Sequence, residues 1–160
     1  MTEATELDAG LRQSREQTVL AHLEAENRQN VAATLATFKP GAARTELPGE
    51  VADGPDAVAA NYRELFAALP DLHFDIKPGS LCHHDHRVLI ETCFQGTHRG
   101  PFRGLPPTGR RVDVPMLLIF EFDGPRPPLR ARLLRPPFAV RPARCRARAQ
   151  HHDRSDHDSA

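Results

Sequence analysis

The chain has 160 residues, of which 39% are apolar, and its formal net charge is zero. This size allows one domain with one moderate core, and no apolar run reaches the roughly 18–20 residues that a membrane-spanning helix needs. The amino terminus shows no basic segment followed by an apolar one, so no secretory signal is visible and we expect a cytoplasmic protein. The three cysteines have unrelated spacings that suggest neither a disulfide framework nor a zinc motif.

The charge is unevenly distributed along the chain. After Gly124 there are nine arginines and three acidic residues, which gives this tail a charge of +6 and the remainder −6. The tail also holds six prolines and lacks a sustained helical or strand period. We therefore predict a flexible N-terminus (residues 1–13), one globular domain (residues 14–124) and an Arg/Pro-rich tail (residues 125–160) that is disordered or out of frame.

The first part of the globular domain predicts three helices. The S-x-x-Q pattern of Ser14–Gln17 is typical of a capping box at a helix start, and a second, shorter helix follows Asn30. The third helix begins at Pro55, where the missing N–H of proline is no loss. The apolar stripe predicted for the first helix is Val19, Leu20 and Leu23. The stripe predicted for the third is Val58, Tyr62, Leu65, Phe66 and Leu69.

Beyond Pro70 the apolar residues alternate, which predicts strands over residues 72–76, 87–95 and 111–122. A weaker strand is predicted earlier, over residues 42–47. In the last strand one face carries Val112, Val114, Met116, Leu118, Phe120 and Phe122. Pro115 in that strand indicates a bulge or a sheet edge. Helices followed by an antiparallel meander predict an α+β domain with the helices on one face of a curved sheet.

The segment from Gly96 to Val114, GTHRGPFRGLPPTGRRVDV, is the most informative stretch of the sequence. Its glycines and prolines predict a loop of fixed shape at the rim of the sheet. One interpretation is a structural connector. The other is the wall of a ligand pocket, with Phe102 and Leu105 as an apolar lid.

Several side chains are candidates for chemistry, each with a structural alternative. His98 is a candidate general acid/base, because imidazole changes protonation near neutral pH, or a polar loop residue. Glu91 and Asp113 are candidate bases if their strand faces line a pocket, and solvated sheet residues otherwise. Tyr62 is a candidate donor to an enolate oxygen or a core residue.

Cys82-His83-His84-Asp85-His86 looks like a metal cluster. Because neighbouring residues in a strand point to opposite faces, few of these side chains can converge on one ion. We therefore predict no metal site here.

Five segments resemble the SnoaL-like polyketide cyclase family of the nuclear transport factor 2-like superfamily. They are Tyr62-Arg63-Glu64-Leu65-Phe66, Leu69-Pro70-Asp71-Leu72-His73, Gly96-Thr97-His98, Gly104-Leu105-Pro106-Pro107-Thr108-Gly109-Arg110 and Phe120-Glu121-Phe122-Asp123-Gly124. The resemblance spans roughly residues 14 to 124 and implies a cone of curved antiparallel sheet closed by helices around a pocket. It also implies a small hydrophobic carbonyl-containing ligand, no cofactor and often a homodimer. Since no apolar run spans a bilayer and the basic tail lacks interleaved aromatic residues, we expect no membrane and no specific nucleic-acid partner.

The substrate-binding residues expected from this resemblance lie on the third helix, the loop and the last strand. They are Tyr62, Phe66, Phe102, Leu105, Arg111, Met116 and Phe120. Three functions follow from the expected pocket. The first is a cyclase or isomerase that removes a proton next to a carbonyl through a carboxylate or His98, and the second is a non-catalytic binder. The third is an inactive member damaged at its C-terminus.

The tail favours the third possibility. Family members continue after the Asp-Gly turn with one more strand, and related cyclases place a catalytic Asp near that end of the sheet. Here residues 132–136 can be back-translated so that a shift of one base encodes Ala-Tyr-Phe-Asp-Leu, which resembles the missing strand. We therefore hypothesise a frameshift shortly after Gly124 and expect the final strand to be absent, unless a substitute forms within residues 133–140.

Overall fold

The computed structural model describes residues 9–47, 50–77, 79–123 and 130–134, and these contain three helices and seven strands. In chain order the elements are α1 (Ala9–Asn27), α2 (Val31–Ala36), β1 (Arg44–Leu47), β2 (Glu50–Asp53), α3 (Pro55–Ala68), β3 (His73–Ile76), β4 (Cys82–His84), β5 (Arg87–Thr97), β6 (Arg111–Glu121) and β7 (Arg130–Leu134). No helix in this described part of the chain is long and apolar enough to cross a membrane.

Helix α1 is longer than the sequence predicts. It already includes Ala9, so residues 9–13, expected in a flexible N-terminus, form its first turns, whereas residues 1–8 lie outside the described residues. Ser14 lies within the helix and its carbonyl oxygen accepts a hydrogen bond from Thr18 Oγ1 at 2.9 Å. The predicted capping box is therefore wrong, because the helix does not start there.

The buried face of α1 differs from the predicted stripe at one position. Val19 and Leu23 are fully buried, but Leu20 is 41% exposed. The face continues instead through His22 and Glu26, three and seven residues after Val19, which is the spacing of one helix face. Two polar side chains thus occupy positions where a core helix normally has apolar ones.

Helices α2 and α3 follow the prediction. Asn30 caps α2, since its side chain accepts a hydrogen bond from the Ala33 N–H at 3.0 Å. Pro55 lies in the first turn of α3, which buries Val58, Tyr62 and Phe66.

The seven strands form one sheet in the order β2-β1-β7-β6-β5-β3, and β4 also pairs with β5. Strands β5 and β6 pair antiparallel along their full length, from Arg87 opposite Glu121 to Thr97 opposite Arg111. The inner face of these two strands, which includes the fully buried Val88 and Ile90 and the nearly buried Phe120, packs against the helices. The α+β class is confirmed, and all pairings in the sheet are antiparallel except that of β1 with β7. Strands β2 and β4 are additional to the predicted strands.

Strand β7 corrects the expectation of an absent final strand. It pairs antiparallel with residues 117–121 of β6 and parallel with β1, so it joins the β1–β2 hairpin to the rest of the sheet. Residues 124–129 and 135–160 lie outside the described residues. The frameshift hypothesis for the tail therefore stays a prediction.

Pro115 lies at a sheet edge rather than at a bulge. The β5–β6 register runs without interruption through the pair Cys93 and Pro115. Because β7 pairs only with residues 117–121, Pro115 has a strand neighbour on one side among the described residues. A residue without an N–H is tolerated at such a position.

Candidate functional site

A cavity of about 720 Å³ lies between the helices and the inner face of the sheet. Most of its wall is apolar and includes Leu65, Phe74, Phe94, Val112, Met116 and Phe120. A volume in this range suits a small organic molecule. The alternation of β6 explains the wall, because its even-numbered residues from 112 to 120 all face inward.

The loop between β5 and β6 forms part of the cavity wall. It is fastened to the end of α3, where the N–H groups of Arg99 and Gly100 donate to the carbonyl oxygen of Ala68 at 2.8 and 3.0 Å. Its two ends are held together because the His98 N–H donates to the Arg110 carbonyl at 2.9 Å. These bonds fix the loop against the helix instead of leaving it as a free connector.

The tip of this loop is a tight turn that projects two apolar side chains. The N–H of Phe102 donates to the Leu105 carbonyl at 3.0 Å and the N–H of Leu105 donates back at 2.9 Å. The two residues between them have positive φ, 52° at Arg103 and 78° at Gly104, as a type I′ turn requires. Phe102 and Leu105 both line the cavity, and Leu105 is 61% exposed at its rim.

A buried polar cluster, formed by His22, Glu26, Thr37 and Tyr62, stands on the helix side. Of these residues, His22, Glu26 and Tyr62 line the cavity, and their exposed fractions are 0%, 5% and 7%. The Tyr62 hydroxyl donates to Glu26 Oε1 at 2.7 Å, and His22 Nε2 lies 2.7 Å from the same oxygen. His22 Nδ1 lies 2.7 Å from Thr37 Oγ1. Burial, together with the neighbouring Glu26 carboxylate, raises the pKa of Tyr62 well above its usual value, so its hydroxyl stays protonated.

His98 lies on the loop side of the cavity. Its Nδ1 is 3.0 Å from Thr108 Oγ1. Its Nε2 is enclosed and has no hydrogen-bond partner among the described residues. A buried polar atom without a partner costs about 1–3 kcal/mol, so a bound molecule that supplied a partner to this nitrogen would be favoured.

Asn61 adds an oriented amide to the wall. Arg103 Nη2 donates to Asn61 Oδ1 at 2.7 Å, and the Arg103 guanidinium also pairs with Glu50. Since a guanidinium can only donate, the carbonyl oxygen of Asn61 must face Arg103. Among the described residues the amide NH₂ group of this cavity-lining residue is then left as a donor for a guest.

The cavity brings together most of the predicted site residues. Those that line it are His98, Asp113, Tyr62, Phe102, Leu105, Arg111, Met116 and Phe120. Phe66 lies behind the wall, where its ring packs against Tyr62 at 5.6 Å between centroids. Asp113 borders the cavity, but its Oδ1 lies 3.4 Å from Cys93 Sγ, on the face of β6 that alternation directs away from the helices.

The structure places Glu91 outside the cavity. Its side chain is 58% exposed and forms an ion pair with Lys77 at 2.9 Å. The strand face it shares with Leu89 is the outer one, because Val88 and Ile90 are fully buried on the inner face. Glu91 was a candidate base only if its strand face lined the pocket, and that face does not.

Sequence reasoning missed the two residues that supply the buried imidazole and carboxylate, His22 and Glu26. Polar residues on a helix are assigned to the surface by default. The available signal was their position, since residues 22 and 26 continue the buried stripe that Val19 and Leu23 begin.

The histidine-rich segment around β4 is divided between two faces. His83 Nε2 lies 2.8 Å from Glu16 Oε1 on α1, whereas Cys82 and His84 are exposed. Within the described ranges no three His, Cys, Asp or Glu side chains are grouped to hold a metal ion.

A protein-family model matches most of this chain. The family model described as SnoaL-like polyketide cyclase matches residues 16–126. No match was found among curated proteins.

Several solved structures share the fold. A protein assigned as a polyketide cyclase from Xanthomonas campestris pv. campestris has a TM-score of 0.67 at 23% identity, covering 79% of this chain and 93% of its own. A protein assigned as a SnoaL-like polyketide cyclase from Jannaschia sp. CCS1 has a TM-score of 0.65 at 21% identity, covering 76% and 85%. TsrD from Streptomyces laurentii has a TM-score of 0.61 at 25% identity, covering 81% and 89%.

Proposed function

The chain belongs to the SnoaL-like polyketide cyclase family, and we propose that its cavity binds a small, largely apolar carbonyl compound and moves a proton next to that carbonyl without a cofactor. The activity would be that of a cyclase or isomerase. The observation that carries the proposal is an apolar cavity of about 720 Å³ whose wall contains an imidazole, a carboxylate and an amide. A guest of this class would bury its rings against the apolar wall.

His98 is the proposed base. If Nδ1–H donates to Thr108 Oγ1, then Nε2 carries the lone pair that a proton acceptor needs. Turning the ring would give up the contact of Nδ1 with Thr108 and present Nε2 to the guest, which would end its isolation in the wall. A positioned base of this kind contributes about 10²–10⁴-fold to a proton-transfer rate.

The developing enolate oxygen requires a donor, and Asn61 is the proposed one. The Tyr62 hydroxyl is committed to Glu26 at 2.7 Å and so is not free for this task. The Asn61 amide is oriented by Arg103, which leaves its N–H groups for the guest. A donor that is already aimed in the unbound protein stabilises the charged state without reorganisation.

Hydrogen–deuterium exchange at the carbon beside a ketone tests the proposed chemistry directly. α-Tetralone, a bicyclic apolar ketone, would be incubated with the protein in D₂O and followed by proton NMR. We expect exchange above the protein-free rate, a loss of about a hundredfold or more in His98→Gln, and wild-type exchange in His73→Gln. His73 is the matched control, since it is exposed on β3 and does not line the cavity.

A non-catalytic binder is the second candidate function. It is favoured by the internal pairing of the buried carboxylate with His22 and Tyr62. Binding of α-tetralone that raises the melting temperature, with exchange no faster than the protein-free rate, would support the binder. A melting temperature unmoved by any apolar ketone would contradict both candidates, and a chain that does not melt cooperatively would favour a damaged family member.

We further propose that the chain works as a homodimer in the cytoplasm. Leu117 and Ile119 support the dimer, because these apolar side chains are partly exposed on the outer face of β6. A sheet face of this kind is suited to bury against a second copy. Sedimentation equilibrium tests this, and a monomer at all concentrations would contradict it.

A further inference from the structure

The polar cluster contains an oxygen that its own hydrogen bonds do not use. Tyr62 and His22 both contact Oε1 of Glu26. The second oxygen, Oε2, has no hydrogen-bond partner among the described residues, yet it is not sealed in the protein, and Glu26 lines the cavity. Oε2 is therefore the polar atom that the cluster offers to a guest.

The positions of the hydrogens in the cluster follow from counting donors. Thr37 Oγ1 donates its single hydrogen to the Thr34 carbonyl at 2.6 Å, so it must accept from His22 Nδ1–H at 2.7 Å. The contact of 2.7 Å between His22 Nε2 and Glu26 Oε1 needs one more proton between them. The pair is therefore either imidazolium with carboxylate or imidazole with carboxylic acid, and it is neutral overall in both forms.

In both forms Oε2 is only an acceptor. The shared proton lies on the Oε1 side, and the Tyr62 hydroxyl also points at Oε1. A guest that places a carbonyl or ether oxygen beside Oε2 would bring two acceptors together. A guest with a hydroxyl or enol O–H would instead form a hydrogen bond there, and the neutrality of the pair removes any need for a cationic group.

We infer that Glu26 is a ligand-binding residue whose Oε2 accepts a hydrogen bond from a hydroxyl or enol group of the guest, so that the cavity selects hydroxylated carbonyl compounds over their methyl ethers. This inference rests on the proposed function, which supplies the carbonyl guest. Glu26 is 5% exposed, and a site built around a buried acceptor rejects an analogue that leaves it unpaired.

Isothermal titration with hydroxy-α-tetralones and the methyl ethers of the same compounds tests the inference. The wild-type protein is expected to bind the best hydroxyl compound about tenfold or more tightly than its ether, since the ether leaves the acceptor Oε2 unpaired. Glu26→Leu is expected to remove this preference. That variant keeps the cluster paired, because Tyr62 can turn its hydroxyl to His22 Nε2, which lies 3.2 Å away.

Thr37→Val is the matched control. It also breaks one bond of the cluster, but Thr37 does not line the cavity and Oε2 is left in place. We expect this variant to retain the preference for the hydroxyl compounds. A preference that survives in Glu26→Leu would overturn the inference.

The wild-type titration decides the matter even if Glu26→Leu does not fold. Equal affinity for the hydroxyl and ether series overturns the role of Glu26 and leaves the proposed function intact. Absence of binding in both series overturns the proposed carbonyl guest, and with it this inference.

Discussion

Gly100 lies against the C-terminal end of α3, and replacing it by alanine should loosen the cavity wall. An added Cβ would lie 2.3 Å from the carbonyl oxygen of Ala67 and 3.0 Å from the Cα of Ala68. Both are backbone atoms and cannot rotate away. Ordinary contacts begin at 3.4 Å, so the loop must retreat by roughly 1 Å, a displacement that counts as overpacking.

The cost follows from what this retreat breaks. The two hydrogen bonds to the Ala68 carbonyl, from Arg99 and Gly100, are each worth about 1 kcal/mol. Alanine offsets part of this loss by restricting the unfolded chain, by about 0.4–1 kcal/mol. Adding about 1–3 kcal/mol for the strain of overpacking, we expect Gly100→Ala to lower the free energy of unfolding by about 2–5 kcal/mol.

Urea unfolding followed by circular dichroism measures this change as a lower midpoint with an unchanged slope. Gly96→Ala is the matched control, because neither glycine has positive φ and the Cβ at Gly96 meets the flexible Leu69 side chain at 3.1 Å. The control should lose clearly less stability. The reasoning would be refuted if Gly100→Ala were as stable as Gly96→Ala.

Three further predictions concern single side chains. Asp71 accepts two hydrogen bonds from Thr97, which lower the pKa of its carboxyl. Its contribution to stability is therefore present above the unfolded pKa and is lost as pH falls through the folded pKa. In Asp71→Asn the free energy of unfolding should therefore fall less steeply as the pH is lowered. Tyr62→Phe should lower the free energy of unfolding by about 1.5–3 kcal/mol, because it removes the hydroxyl bonded to the buried Glu26; an unchanged urea midpoint would contradict this. Glu91→Gln should leave the urea midpoint within about 0.5 kcal/mol of wild type and the α-tetralone exchange rate unaltered, as for an exposed ion pair.

The elements of the sheet could be predicted where the sequence alternates strongly. The inward face of β6 followed directly from the period of two, because every even-numbered residue from Val112 to Phe122 is apolar. Strands β2 (EVAD) and β4 (CHH) lack this alternation of apolar residues. Their pairing partners, rather than a local pattern, determine these strands, so they could not be predicted.

The site could be predicted only in part. In α1, the polar character of His22 and Glu26 indicates the surface, whereas their position on the stripe of Val19 and Leu23 indicates the core. Glu26, which was not expected, supplies a buried carboxylate to the cavity, whereas Glu91 lies outside it. For Glu91 the sequence left open which face of β5 turns inward. For Glu26 the sequence offered only a position on the buried stripe and the i,i+4 neighbour His22. Its other partner, Tyr62 on α3, is brought to it only by the tertiary fold.

The place of β7 between β1 and β6 imposes an order on biosynthesis. The hairpin of β1 and β2 leaves the ribosome early, yet among the described strands it joins the sheet only through Arg130–Leu134. Thr45 of that hairpin belongs to the cavity wall. The cavity wall of the nascent chain therefore stays incomplete until a segment near residue 130 has emerged. Pairing of strands that lie far apart in the sequence is slow.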